Sequence, residues 1–328
     1  MALDQEPEQL DKTGHEQRKS TASSSARPTV APGNLIGGQS RARSLVSVVI
    51  FMVIVLELGP AIIYAVAHGI FGSFRIIESP EVLLFLEAGN FAILFGVTAC
   101  MALVEDRHIG DYGLPLQGIF GKNFWLGALL GIAEISALVG LLAAFGGYSF
   151  GNLVLQGGDV LRWGGVHLVL FLVVGLYEEF LFRGYAQFTL GLGIGFWPAA
   201  VLLSAAFGYV HLGNGGENWI GAASVAVVGL LFAFTLRRSG NLWYAVGLHA
   251  SFDWGETFLY SVPNSGEVLR GHLSSAILHG PRWLTGGSVG PEGSVFSFLT
   301  MGLQFLVVML LFPKRETQKS GEITSPDN

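Results

Sequence analysis

The feature that most constrains this chain is a series of eight apolar segments, each near the ~20 residues that cross a bilayer as a helix. They lie at roughly 45–72, 82–104, 123–146, 164–189, 196–212, 218–236, 241–261 and 294–312. The last is the cleanest, with no charge from Gly293 to Pro313. The fifth is the shortest and runs into Gly-Asn-Gly-Gly at 213–216, a strong helix stop. All are too long for barrel strands, and without water in the hydrocarbon core a helix is the remaining way to satisfy the backbone. Composition agrees: charged residues are 13% of the chain, against about 25% in average globular proteins. The expected fold is all-α, a polytopic bundle of about eight transmembrane helices, integral to the lipid bilayer of the cell membrane.

Outside the spans, residues 1–43 are polar and rich in Ser, Gln, Glu and Pro. Such a segment buries too little apolar surface to offset chain entropy and is expected to be a disordered tail. No apolar run begins within its first thirty residues, as a cleavable signal peptide requires. Residues 314–328 read as a second polar tail, leaving 44–313 as the transmembrane domain with its motifs at 164–261. A net charge of -6 with no dense basic patch gives a nucleic-acid partner no footprint. Cys100 is the only cysteine, which excludes an internal disulfide and CxxC chemistry.

Lys and Arg in the short connections set the expected orientation. With both termini cytoplasmic, Arg41, Arg43, Arg107, Lys122, Arg237, Arg238 and Lys314 fall inside, together with the basic residues of both tails. Only Arg75, Arg162, Arg270 and Arg282 fall on the other side.

Ionisable groups within spans carry the chemical information, since each costs roughly 2.5–3.5 kcal/mol at a helix centre unless paired, hydrated or neutralised. Span four contains Glu178-Glu179-Phe-Leu-Phe-Arg183. Glu179 and Arg183 are four apart with the acid first, the favourable pairing geometry on one helix face. Glu178 lies about 100° away without a local counter-charge, suited to proton transfer or to facing water between helices. Span five ends Phe207-Gly-Tyr-Val-His211, where the phenyl ring can pack against the imidazole one turn later. Span seven holds His249-Ala-Ser-Phe-Asp253, an imidazole and a carboxylate on one face, with Glu256 extending the stripe.

An acid and two histidines thus come from three helices, as a site in a bundle core requires. Glu178, His211 and His249 form a His₂Glu set, the ligand type of open catalytic zinc sites. Without a metal, Glu178 and His211 would activate a water while His249 stabilises an oxyanion. The residues leave both routes open. Glu57, Glu87 and Glu134 in spans one to three could instead line an ion path. His68, His167, His272 and His279 read as interfacial or loop residues.

EExxxR, FxxxH and HxxxD on successive membrane helices resemble the CPBP family of intramembrane proteases. That family comprises type II CAAX prenyl endopeptidases, lysostaphin-resistance-type proteins and the proteins often called Abi. The motifs, at Glu178, Glu179 and Arg183, at Phe207 and His211, and at His249 and Asp253, span roughly a quarter of the chain. The resemblance implies hydrolysis of peptide bonds in membrane-associated or prenylated proteins, by a metallo- or glutamate-dependent route. It casts Glu178 and His211 as the water-activating pair, with His249 and Asp253 on the oxyanion or metal side. Position 253 is Asp where Asn also occurs in the family: ionised it suits a metal, protonated it can donate to an oxyanion. Zn²⁺ on Glu178, His211 and His249, with Asp253, is therefore one expectation. Alternatives are a non-catalytic immunity or scaffold protein of the same fold, or a transporter. Phe180, Phe182 and Phe188 are compatible with a prenyl groove. Span four runs inward with Glu178 near its middle, whereas His211 nears the outer end of span five. The two meet only if span five is short, tilted or displaced in depth.

Overall fold

Each of the eight apolar segments is helical in the computed structural model, which describes residues 41–72 and 79–313. The polar tails lie outside the described residues, except that Arg41–Arg43 already begin the first helix. That helix, α1 (Arg41–Val53), passes through a π-helical turn (Ile54–Leu58) into α2 (Gly59–Phe71). Then come α3 (Pro80–Val104), α4 (Lys122–Ala144) and α5 (Gly158–Arg183). A short α6 (Tyr185–Ile194) leads to α7 (Phe196–His211) and α8 (Trp219–Ser239). The seventh span is α9 (Trp243–Trp254) with a second π-helical turn (Gly255–Leu259). A single turn, α10 (Arg282–Thr285), precedes α11 (Val295–Leu311). Five of the helical stretches are long and apolar enough to cross a membrane, and α7 and α11 are shorter apolar helices. The chain is a multi-pass integral membrane protein.

Helix α9 sits at the centre, packed against α4 on one side and α5 on the other. Small residues permit this: a Cβ at Gly127 or Gly131 of α4 would strike the carbonyl oxygens of Tyr244 and Leu248. Backbones therefore meet without intervening side chains, the usual solution where apolar solvent gives helices little other reason to associate. Trp254 Nε1 donates to the Gly164 carbonyl at 3.0 Å, and Tyr260 Oη to Ser136 Oγ at 2.8 Å, tying the far end of this span to both neighbours.

The connections at one end of the bundle form a cap. Strand β1 (Tyr148–Ser149) pairs antiparallel with β2 (Ile277–Leu278), Tyr148 opposite Leu278. At the same end Glu81 receives Arg270 at 2.9 Å and Arg162 at 3.6 Å, joining α3, α5 and the loop after α9. Ser261 and Ser265 adopt positive φ (57° and 43°) as that loop turns back over the bundle.

Span four departs from the expected boundary. Helical structure stops at Gly184 and resumes in α6, so the turn into α7 falls at Gly195. Arg183 and Phe207 each lie twelve residues from Gly195, and the Arg183 guanidinium sits 4.3 Å above the Phe207 ring. Glu178 and His211 are likewise at nearly equal distances from the turn. The depth conflict disappears because span four continues five residues further than expected.

Candidate active site

The EExxxR motif divides its labour across α5. Glu179 and Arg183 are fully buried and pair at 3.3 Å, as their spacing predicted. Arg183 is enclosed by the rings of Phe182, Phe207 and Phe232, its carbon 5.7, 4.3 and 5.5 Å from their centroids. Gly229 on α8 makes room for it, since a Cβ there would meet the guanidinium. Neither Glu179 nor Arg183 reaches the cavity described below. Glu179 is linked to the cavity lining through a third residue.

That residue is His249. Its Nδ1 lies 3.1 Å from Glu179 Oε1, so the buried acid fixes the ring, and Nε2 turns towards Glu178 (3.6 Å) and Asp253 (3.4 Å). Phe232 stacks on the imidazole at 5.4 Å and 18°. This is the orienting arrangement that a functional imidazole requires. His211 is fixed differently. Its Nδ1 is 2.8 Å from the Phe207 carbonyl, which can only accept, so Nδ1 carries hydrogen and, in the neutral ring, Nε2 keeps the lone pair. The Phe207 ring packs edge-on against it at 4.7 Å, the expected FxxxH contact.

Glu178, His211, His249 and Asp253 line one cavity of about 720 Å³. Its walls are mostly apolar near these residues, with Phe171, Val174, Phe207 and Phe232 among them. Two acids treated as possible path residues, Glu87 and Glu134, open into it as well, whereas Glu57 is exposed on the first π-helical turn. Residues of the capping loops that sequence reasoning missed, Asn214, Asn264, Ser265, Glu267 and Glu292, form its far end. Glu292 Oε2 accepts from Ser265 N (2.7 Å) and Ser265 Oγ (2.8 Å). Burial, then the charge of Asp253, pushes Glu292 up to about 7 against those hydrogen bonds. Glu217, before α8, is also raised by burial. These positions lie in irregular segments where no periodicity marks them.

His167, near the start of α5, is completely buried within the protein, with Nδ1 2.9 Å from the Trp163 carbonyl and its ring stacked on Phe171. One reading needs correction. Phe180, Phe182 and Phe188 are buried in the helix core, and none lines the cavity.

The zinc expectation has a geometric test in the donors themselves. Zinc holds nitrogen and oxygen ligands about 2.0–2.2 Å from one point. Among the described residues, no three His, Cys, Asp or Glu side chains gather as such a ligand set would. His249 instead spends its contacts on three carboxylates. Glu178, His211, His249 and Asp253 line the cavity together without forming a ready-made ligand cage.

Residues 135–255 match the family model for Type II CAAX prenyl endopeptidase Rce1-like proteins. This segment is Rce1-like. It begins within α4, ends at the second π-helical turn, and contains Glu178, Glu179, Arg183, His211, His249 and Asp253. The cavity's Glu87, Glu134, Glu267 and Glu292 fall outside the Rce1-like segment. No curated protein and no solved structure matches the chain.

Proposed function

We propose that this protein is an intramembrane endopeptidase that hydrolyses peptide bonds of membrane-associated proteins, CAAX-type prenylated proteins among them. The observation that carries the reading is that Glu178, His211, His249 and Asp253, from three helices, share one cavity. The match to an endopeptidase family over the same residues supports it.

The chemistry follows from the two ring orientations. A water between Glu178 and His211 donates one proton towards the carboxylate and another towards the His211 Nε2 lone pair. The Glu178 carboxylate takes its proton as the water oxygen bonds to the substrate carbonyl carbon. Charge develops on the carbonyl oxygen, and a protonated His249, with Nδ1–H donated to Glu179, offers Nε2–H to it. Asp253 keeps that N–H aimed into the cavity. Glu178 then returns its proton to the amide nitrogen, the C–N bond breaks, and a carboxylic acid and an amine leave. Glu179 and Arg183 position His249.

With both termini in the cytoplasm, the capping loops and the end of the cavity they form face the opposite side of the membrane. The direct test is purified protein in liposomes with prenylated and unprenylated peptides, products read by mass spectrometry. New peptide termini support proteolysis. Ion or solute flux without cleavage would favour the transport reading of Glu87 and Glu134, and intact biological activity in Glu178→Gln would favour a scaffold.

A further inference from the structure

Two loops form the end of the cavity next to His211, and hydrogen bonds lace them together. Residues 264–267 read Asn-Ser-Gly-Glu. Ser265 and Gly266 both have positive φ (43° and 82°), as the two central residues of a type I′ turn require. Asn264 and Glu267 accordingly exchange both backbone hydrogen bonds, at 2.9 and 2.8 Å. The segment after α7 is tied to this turn. Asn214 Nδ2 donates to the Ser265 carbonyl at 2.8 Å, Gly215 N to Glu267 Oε1 at 2.9 Å and Gly216 N to the Gly266 carbonyl at 3.0 Å. Asn214 N also donates to the His211 carbonyl at 2.9 Å, so the framework begins three residues from the reacting centre.

One donor in this framework is left over. Asn264 and Asn214 both line the cavity, and Asn264 Nδ2 is buried without a hydrogen-bond partner. Buried polar groups are ordinarily satisfied, and an unspent amide on a turn fixed at both ends is a preorganised half of a hydrogen bond. Asn214 has the opposite group to offer. Its Nδ2 is spent on Ser265, the residue that follows Asn264, which leaves Oδ1 to accept.

The two side chains therefore present one donor and one acceptor as neighbours. A carboxylate or phosphate would call for donors alone, and a cation for acceptors alone. A peptide group supplies both complements, a carbonyl for Asn264 Nδ2 and an N–H for Asn214 Oδ1.

We infer that Asn214 and Asn264 grip the main chain of the substrate close to the bond that is cleaved, Asn264 donating to a peptide carbonyl and Asn214 accepting a peptide N–H. This deepens the endopeptidase reading and rests on it. Main-chain bonds of this kind hold an extended peptide whatever its side chains are.

The test uses the full chain in liposomes and one fluorescent farnesylated peptide with a hydrophilic segment. The peptide is made as a series in which each backbone amide of that segment is replaced in turn by an ester, which removes one N–H and weakens the adjoining carbonyl as an acceptor. Binding is titrated on the Glu178→Gln variant, alone and combined with Asn264→Ala or Asn214→Ala, and cleavage of the all-amide peptide by the wild type is read by mass spectrometry. The expected result is a binding loss of about 3–10-fold for esters at one or two neighbouring positions beside the cut. Asn264→Ala should bind the all-amide peptide more weakly by a similar factor, and the same esters should then cost nothing further. The ester series on Glu178→Gln alone leaves the turn intact, so it decides the matter even if Asn264→Ala fails to fold. Equal binding of amide and ester at every position, or an ester penalty undiminished in folded Asn264→Ala and Asn214→Ala, would overturn the clamp while leaving proteolysis standing. Ester-sensitive binding that depends on Asn264, without cleavage by the wild type, would uphold the clamp and remove the proteolytic reading. No binding of any peptide in the series would overturn the clamp as well.

Discussion

Glu179 and His249 are joined across two helices: the carboxylate oxygen that pairs with Arg183 at 3.3 Å also receives His249 Nδ1 at 3.1 Å. One buried acid thus connects the EExxxR and HxxxD motifs. In the mechanism above it sets which imidazole nitrogen faces the substrate.

Glu179→Gln should therefore lower kcat by about 10–100-fold, the usual cost of losing an orienting partner behind a working ligand or imidazole. KM should change little, because the side chain does not reach the cavity. Arg183→Ala should be worse for the fold, leaving the fully buried Glu179 carboxylate with His249 alone, at a cost of up to about 3–5 kcal/mol. Steady-state kinetics separates the first effect and thermal denaturation in detergent the second. An unchanged kcat in Glu179→Gln would detach it from the reaction.

Gly229→Ala should act at a distance. The added methyl meets the Arg183 guanidinium and crowds Ser204 at 3.0 Å, so a stability loss of about 1–3 kcal/mol is expected from overpacking. Activity should fall with it as Glu179 and His249 shift. Gly140→Ala is the control, because a Cβ there meets nothing within 4 Å. Equal melting temperatures for both variants would contradict the packing described for Arg183.

Glu292 gives a pH signature outside the spanning helices. Its carboxyl is raised from the ordinary 4.5 to about 7 by burial and then Asp253. The folded state therefore binds that proton more tightly than the unfolded chain does. Stability from this group is complete at low pH and declines as pH rises from 4.5 to about 7. Glu292→Gln should flatten this slope, gaining on the wild type at pH 8 and not at pH 4. Parallel melting curves across that range would contradict it.

Metal removal distinguishes the two hydrolytic routes. With no three donors gathered for an ion among the described residues, dialysis against a chelator should leave cleavage intact, and purified protein should hold less than one equivalent of zinc. Loss of activity restored by zinc would instead make His211 and His249 ligands.

Much of this site was legible because its residues sit on regular helices. Four-residue spacing alone placed Glu179 by Arg183, Phe207 by His211 and His249 by Asp253, and structure finds all three pairs. Hydropathy likewise marked all eight helical segments. The break at Gly184 was not legible, since α6 is as apolar as the helices around it, and the depth of Glu178 was misjudged in consequence. Glu267 and Glu292 had no signal at all. They reach the cavity through loop turns set by tertiary contacts, and a π-helical turn, invisible in composition, is what buries Glu256 beside them.

The central claim is that Glu178 and His211 activate the water that cleaves the peptide bond. Its most direct measurement is single-turnover peptide hydrolysis in proteoliposomes by wild type, Glu178→Gln and His211→Ala, each checked for an unchanged melting temperature. The account predicts rate losses of about 10²–10⁴-fold in both variants. Turnover equal to wild type in either one would contradict it.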